Sequence, residues 1–150
     1  MEVILFQPEI PQNTGNIART CAVTGVHLTL VRPLGFALSS RHMKRAGMDY
    51  WGDVHFNVID TLEPYLEEPF YIFSTKGKRI YTDIAFEKEA QLVFGSETAG
   101  LPAHYHEKWG DKMYRIPMKG GSRSLNLSNA VAIVLYEALR QLSFATFERR

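Results

Sequence analysis

Residues 113–142, MYRIPMKGGSRSLNLSNAVAIVLYEALRQL, read as a strand, a polar loop and a helix, and this unit sets the fold class. MYRIPM (113–118) is a short apolar strand. From about Leu125 to Leu142, the residues Leu127, Val131, Val134, Leu135, Ala138 and Leu142 recur at helical spacing and form one apolar stripe. Between them lie a glycine pair, then serines at 122, 124 and 128 and asparagines at 126 and 129. An N-cap needs one such side chain. The surplus predicts that this helix start holds something besides itself.

The same alternation runs back along the chain. EVILFQ (2–7), VHLTLV (26–31), VHFNVI (54–59), FYIFST (70–75) and QLVFG (91–95) read as strands. NIARTCAVT reads as a helix capped by Asn13 or Thr14 and stopped by Gly25. A short basic helix capped by Ser39 or Ser40 and ending near Gly47, a short helix in TLEPYLEE, and another from Pro102 fill the remaining connections. Strands alternating with helices, several of them continuously apolar, predict an α/β fold with a mostly parallel sheet covered on both faces. Ligands in such sheets bind outside the carboxyl ends of the strands, which points to the loops after Thr75, Gly95 and Met118.

With 150 residues, the chain is expected to form one domain over 1–150. No apolar run approaches the ~18–20 residues of a membrane span, so no membrane partner is expected. MEVILFQ looks like a first strand, not a signal peptide. The single cysteine, Cys21, excludes an internal disulfide and fits a reducing cytoplasm. Set among Ala and Val, it reads as a small core residue.

The net charge of +1 hides a segregated distribution. Arg41, Lys44 and Arg45, then Lys76, Lys78 and Arg79, then Lys119 and Arg123 form three basic groups with no acid inside them, a pattern that suits phosphates as well as solvated loops. There is no GxxxxGK[ST] loop, and no GxGxxG follows the first strand, so nucleotide hydrolysis and ordinary dinucleotide binding lose support. His104 and His106, two residues apart, point to different helix faces and lack a cysteine pair, so no metal site is expected.

Three segments carry chemistry. NTGNIART (13–20) sets Asn13, Asn16 and Arg19 near a helix start, and Arg19, beside Ala18 and Cys21, is a residue type seldom buried unless paired. VFGSETAGLP (93–102) runs a strand into two glycines bracketing Glu97. The third is the opening stretch. In order and spacing the three resemble the signature motifs of the SPOUT superfamily of RNA methyltransferases: N-x-G-N-x-x-R, F-G-x-E-x-x-G-L-P and I-P-M…S-R-S-L-N-L-S-N-A-V. QPEIPQNTGNIART, RAGMDYW (45–51), STKG (74–77) and VLYEALRQL (134–142) extend the resemblance to its minimal TrmL-type branch over nearly the whole chain.

This resemblance implies a parallel sheet with a C-terminal trefoil knot, S-adenosylmethionine bound in the knotted loops and released as S-adenosylhomocysteine, and a homodimer. It implies 2′-O-methylation of the wobble cytidine or uridine in the anticodon loop of leucine tRNAs. Phe73, Gly95, Ile116 and Ser124 match the cofactor-binding positions. Arg19 matches the catalytic arginine, with Asn13, Glu97 and Asn126 in support. Arg41, Lys44, Arg45, Lys119 and Arg123 are the expected contacts to tRNA phosphates. Ser96 and Ala99 stand where close relatives of the branch carry Pro and Arg; losing the proline is expected to loosen the cofactor loop. The alternatives are another tRNA site or ribosomal RNA as target, or a non-catalytic RNA- or nucleotide-binding module of the same fold.

Overall fold

The computed structural model describes residues 1–39, 41 and 51–147. Seven strands form one sheet: β1 (Glu2–Phe6), β2 (His27–Val31), β3 (Phe56–Ile59), β4 (Phe70–Phe73), β5 (Arg79–Ile80), β6 (Gln91–Phe94) and β7 (Met113–Arg115). Their order is β3-β2-β1-β6-β4-β7-β5, and every pairing is parallel. Three helices accompany them among the described residues: α1 (Pro11–Thr24), α2 (Ala103–Trp109) and α3 (Leu127–Gln141).

Alternation along the strands builds two cores. Val3, Leu5, Leu28, Leu30, Leu92 and Phe94 face one side, where α1 and α3 lie side by side and bring Ile17, Cys21, Val131, Val134, Leu135 and Ala138. Ile4, Phe6, Ile72, Val93 and Met113 face the other, under Tyr105 of α2 and Leu62. A sheet buried on both faces explains why its strands read as continuous apolar runs. Burial pushes the Cys21 thiol up to about 12, in keeping with a core residue and against a nucleophile.

Several elements differ from expectation. Helix α1 begins at Pro11, with Ile10 as its N-cap, rather than after Asn13 or Thr14. Proline fits that first position because its missing N–H would have had no helical partner. Asn13 is thereby released from capping, and the wholly buried hydroxyl of Thr14 finds no hydrogen-bond partner among the described residues. TLEPYLEE contributes only a 3-10 turn at Glu63–Tyr65, and a further two-residue strand, β5, too short to carry a pattern, forms at Arg79–Ile80. The basic helix expected between Ser39 and Gly47 lies almost wholly outside the described residues, as do Lys44 and Arg45.

Candidate active site

At the carboxyl ends of β4, β6 and β7, the three loops singled out in the sequence surround a cavity of about 870 Å³. Phe73 and Phe94 stack at its base with ring centroids 4.8 Å apart. All four expected cofactor positions, Phe73, Gly95, Ile116 and Ser124, line it. So do Asn13, Glu97 and Asn126.

The loops are built to pass close to one another. A Cβ on Gly95 would lie 2.5 Å from the backbone carbon of Gly100, so only glycine fits there. Gly77, after β4, meets the backbone of Tyr114 in β7 just as closely. Ser96 ties the loop around Glu97 across its base: its N–H donates to the Gly100 carbonyl at 3.1 Å, and its hydroxyl donates to the same oxygen at 3.3 Å. A proline there could not donate the first of these.

A directed chain of hydrogen bonds ties the three motifs together. Asn126, the N-cap of α3, accepts from the Ser128 amide at 2.9 Å and from its hydroxyl at 2.6 Å. Its Nδ2 donates to Asn13 Oδ1 at 2.9 Å. Asn13 Nδ2 donates to Glu97 Oε1 at 3.3 Å, and the Glu97 carboxylate also accepts the amide protons of Ile10 at 3.0 Å and Glu9 at 2.7 Å. A carboxylate just before the first turn of α1 is electrostatically well placed. Part of the polar surplus before α3 is thus accounted for: Asn126 both caps its own helix and joins this network. Ser122, Ser124 and the backbone from Gly120 remain exposed, and Ser124 faces the cavity.

Arg19 is placed differently from its expected partners. It is exposed, on an α1 stripe with Gln12, Asn16 and Val23, and does not line the cavity. Among the expected phosphate contacts, Arg123 lines the cavity, Lys119 is exposed on the same loop and Arg41 is exposed. The 76–79 group is partly committed elsewhere: the Arg79 guanidinium lies 4.5 Å over the Tyr114 ring and donates to the Asp111 carbonyl. Two features carried no sequence signal of their own role. They are the Glu9 and Ile10 amides that anchor Glu97, and His106, which faces the cavity from α2. His104 does point the other way, packing on Tyr105 at 4.3 Å.

The model of the SpoU rRNA Methylase family matches residues 1–136. A tRNA (cytidine(34)-2'-O)-methyltransferase of Saccharophagus degradans is 46% identical over 148 residues, covering 95% of this chain and 96% of that protein. A solved structure described as "Structural insights into the 2-OH methylation of C/U34 on tRNA" superposes with a TM-score of 0.86 at 42% identity, covering 95% of this chain and 96% of the other. An AdoMet-bound rRNA methyltransferase from Sinorhizobium meliloti superposes with a TM-score of 0.81 at 30% identity, covering 94% of this chain and 56% of that one.

Proposed function

Because the chain belongs to the SpoU methylase family, we propose that it methylates the ribose 2′-oxygen of the wobble nucleotide, cytidine or uridine 34, of tRNA, with S-adenosylmethionine as donor. The observation that carries this reading is the convergence of the three motif loops on one cavity, locked by Asn126, Asn13 and Glu97. The cavity suits the donor: stacked aromatic rings and Ile116 offer an apolar bed for a purine, while Ser124 and the tightly folded glycine loop present polar groups at its rim. Leucine isoacceptors as the target follow from the resemblance of the motifs to the minimal branch. The close passage of Gly77 against Tyr114, and of Gly95 against Gly100, supports reading these loops as the superfamily's trefoil knot.

The bound donor supplies an activated methyl on a sulfonium. A ribose hydroxyl is a weak nucleophile, so the protein's task is to align it with that methyl and to stabilise charge developing on the oxygen. Arg19 is assigned this electrostatic part, holding the adjacent phosphate and the forming alkoxide; a guanidinium, always protonated, is ill suited to act as base. Its place outside its own cavity is reconciled by the homodimer. α1 and α3 share one face of the sheet, and each turns a partly apolar stripe outward: Val23 beside Arg19, and Ile133 and Tyr136 on α3. Pairing of two copies through these stripes puts Arg19 at the subunit contact, within reach of the partner's substrate. Lys119, Arg123 and Arg41, with Lys44 and Arg45, supply phosphate contacts that position the RNA.

The test is methyl transfer from labelled S-adenosylmethionine to bulk tRNA from cells lacking wobble 2′-O-methylation. Label is expected as 2′-O-methyl at nucleotide 34 of leucine tRNAs, and none with Arg19→Ala. Label at another tRNA site would overturn the target, and no transfer to tRNA by protein that binds the donor would overturn tRNA as the substrate, leaving ribosomal RNA or the non-catalytic module.

A further inference from the structure

Of the five histidines, four lie among the described residues. His27 and His55 stack on one another at 4.9 Å on the amino-terminal edge of the sheet, remote from the cavity. His104 packs on Tyr105, with Nε2 4.0 Å from Glu63 Oε1. His106 differs from all three. It is half-buried in the cavity wall, and its ring has no hydrogen bond, ion pair or aromatic contact among the described residues. A neutral imidazole carries one donor and one acceptor. Here neither has a partner among the described residues.

The position of this ring selects what it meets. Asn13 and Asn126 reach the cavity from α1 and α3, on one face of the sheet, and Arg123 opens on the same loop as Lys119. His106 enters from α2, whose Tyr105 packs into the core on the opposite face. Phe73, Phe94 and Ile116, the apolar bed assigned above to the purine, line the same cavity as His106, so the ring is set to meet the edge of a base lying on that bed. We infer that His106 is a hydrogen-bonding contact for the adenosine half of the cofactor. This inference rests on the methyltransferase reading above. An adenine edge offers both acceptors and an amino donor, so either ring tautomer has a match, and the ring adds selection for the nucleoside.

Calorimetric titration of the full chain with S-adenosylhomocysteine and with 5′-methylthioadenosine, which lacks the amino-acid end, tests it. His106→Leu is expected to weaken both ligands about three- to tenfold, the scale of one hydrogen bond exchanged with water. His106→Gln, which keeps a donor and an acceptor, is expected to stay within about twofold of wild type. Unchanged affinity in His106→Leu overturns the inference. So does an equal loss in both variants, which marks a packing role, or a loss confined to S-adenosylhomocysteine or to tRNA. Should His106→Leu be unstable, the wild-type ring resonance in a proton–carbon spectrum must move when 5′-methylthioadenosine is added, and an unmoved resonance refutes the contact. Wild-type protein that binds neither nucleoside brings down the cofactor assignment itself, and the His106 contact with it.

Discussion

The Glu97 carboxylate accepts from three donors that no other acceptor serves so closely, the amides of Glu9 and Ile10 and the side chain of Asn13. Each is an N–H that would otherwise face the cavity or the start of α1 unpaired, and hydrogen bonds to a charged acceptor are among the stronger ones. Glu97→Gln keeps the shape but removes the charge at the helix start and turns one acceptor into a donor facing donors. Its unfolding free energy in urea is expected to fall by about 1–3 kcal/mol, with weaker S-adenosylhomocysteine binding. A variant that unfolds at the wild-type midpoint would show that the network contributes nothing to stability. Glu97 was legible in the sequence as a carboxylate between two glycines; its partners were not, because Glu9 and Ile10 act through backbone amides that any residue but proline would offer.

Helix α3 connects the cavity to the far end of the molecule. At its last turn the Glu137 carboxylate accepts from Arg140 at 2.8 Å and from Gln141 at 2.9 Å, and these bonds hold it down at about 2. Gln141 also donates to the Ile84 carbonyl and accepts from the Phe86 amide, both at 3.0 Å, fastening the segment before β6 onto the helix. A carboxylate whose value is depressed on folding stabilises the native state above its ordinary value of 4.5 and loses that contribution as pH falls towards 2. Thermal unfolding of Glu137→Gln is therefore expected to be below wild type at pH 6, with the gap narrowing below about pH 4.5 and closing only as pH reaches about 2; a gap independent of pH would contradict the assignment. The apolar stripe of α3 could be read from spacing alone, although the helix begins at Leu127 behind its Asn126 cap rather than near Leu125. The start of α1 could not: Asn13 and Thr14 are good capping residues, but Pro11 already satisfies the first turn, and Asn13 is drawn into a tertiary bond to Asn126.

For the whole molecule, alternation predicted the parallel sheet, yet nothing local announced that β6 inserts between β1 and β4 or that β7 inserts between β4 and β5. Those neighbours are chosen by long-range packing. Assembly is also a property at this scale. Ile133 and Tyr136 are 37% and 44% exposed and Val23 is 60% exposed, all on the face covered by α1 and α3. Light scattering is expected to give twice the chain mass for wild type and the single mass for an Ile133→Glu, Tyr136→Glu double variant. Being at the surface, those changes should leave the monomer fold within about 1 kcal/mol while abolishing methyl transfer. A wild-type monomer that is fully active would refute both the dimer and the trans placement of Arg19.

The bonds that close the cavity join residues 84 to 113 positions apart in the chain, from Asn13 to Glu97 and from Asn13 to Asn126. Contacts of such separation carry the closure entropy of the long segments they join. The site therefore exists only after the sheet has accepted β6 and β7 and the segment up to Asn126 has come to rest against α1. A chain caught at any earlier stage, with β1, β2 and α1 already in place, has the first motif in hand but nothing to bind with. Completeness of the cavity is thus a property of the finished topology, which a chain with only β1, β2 and α1 in place lacks.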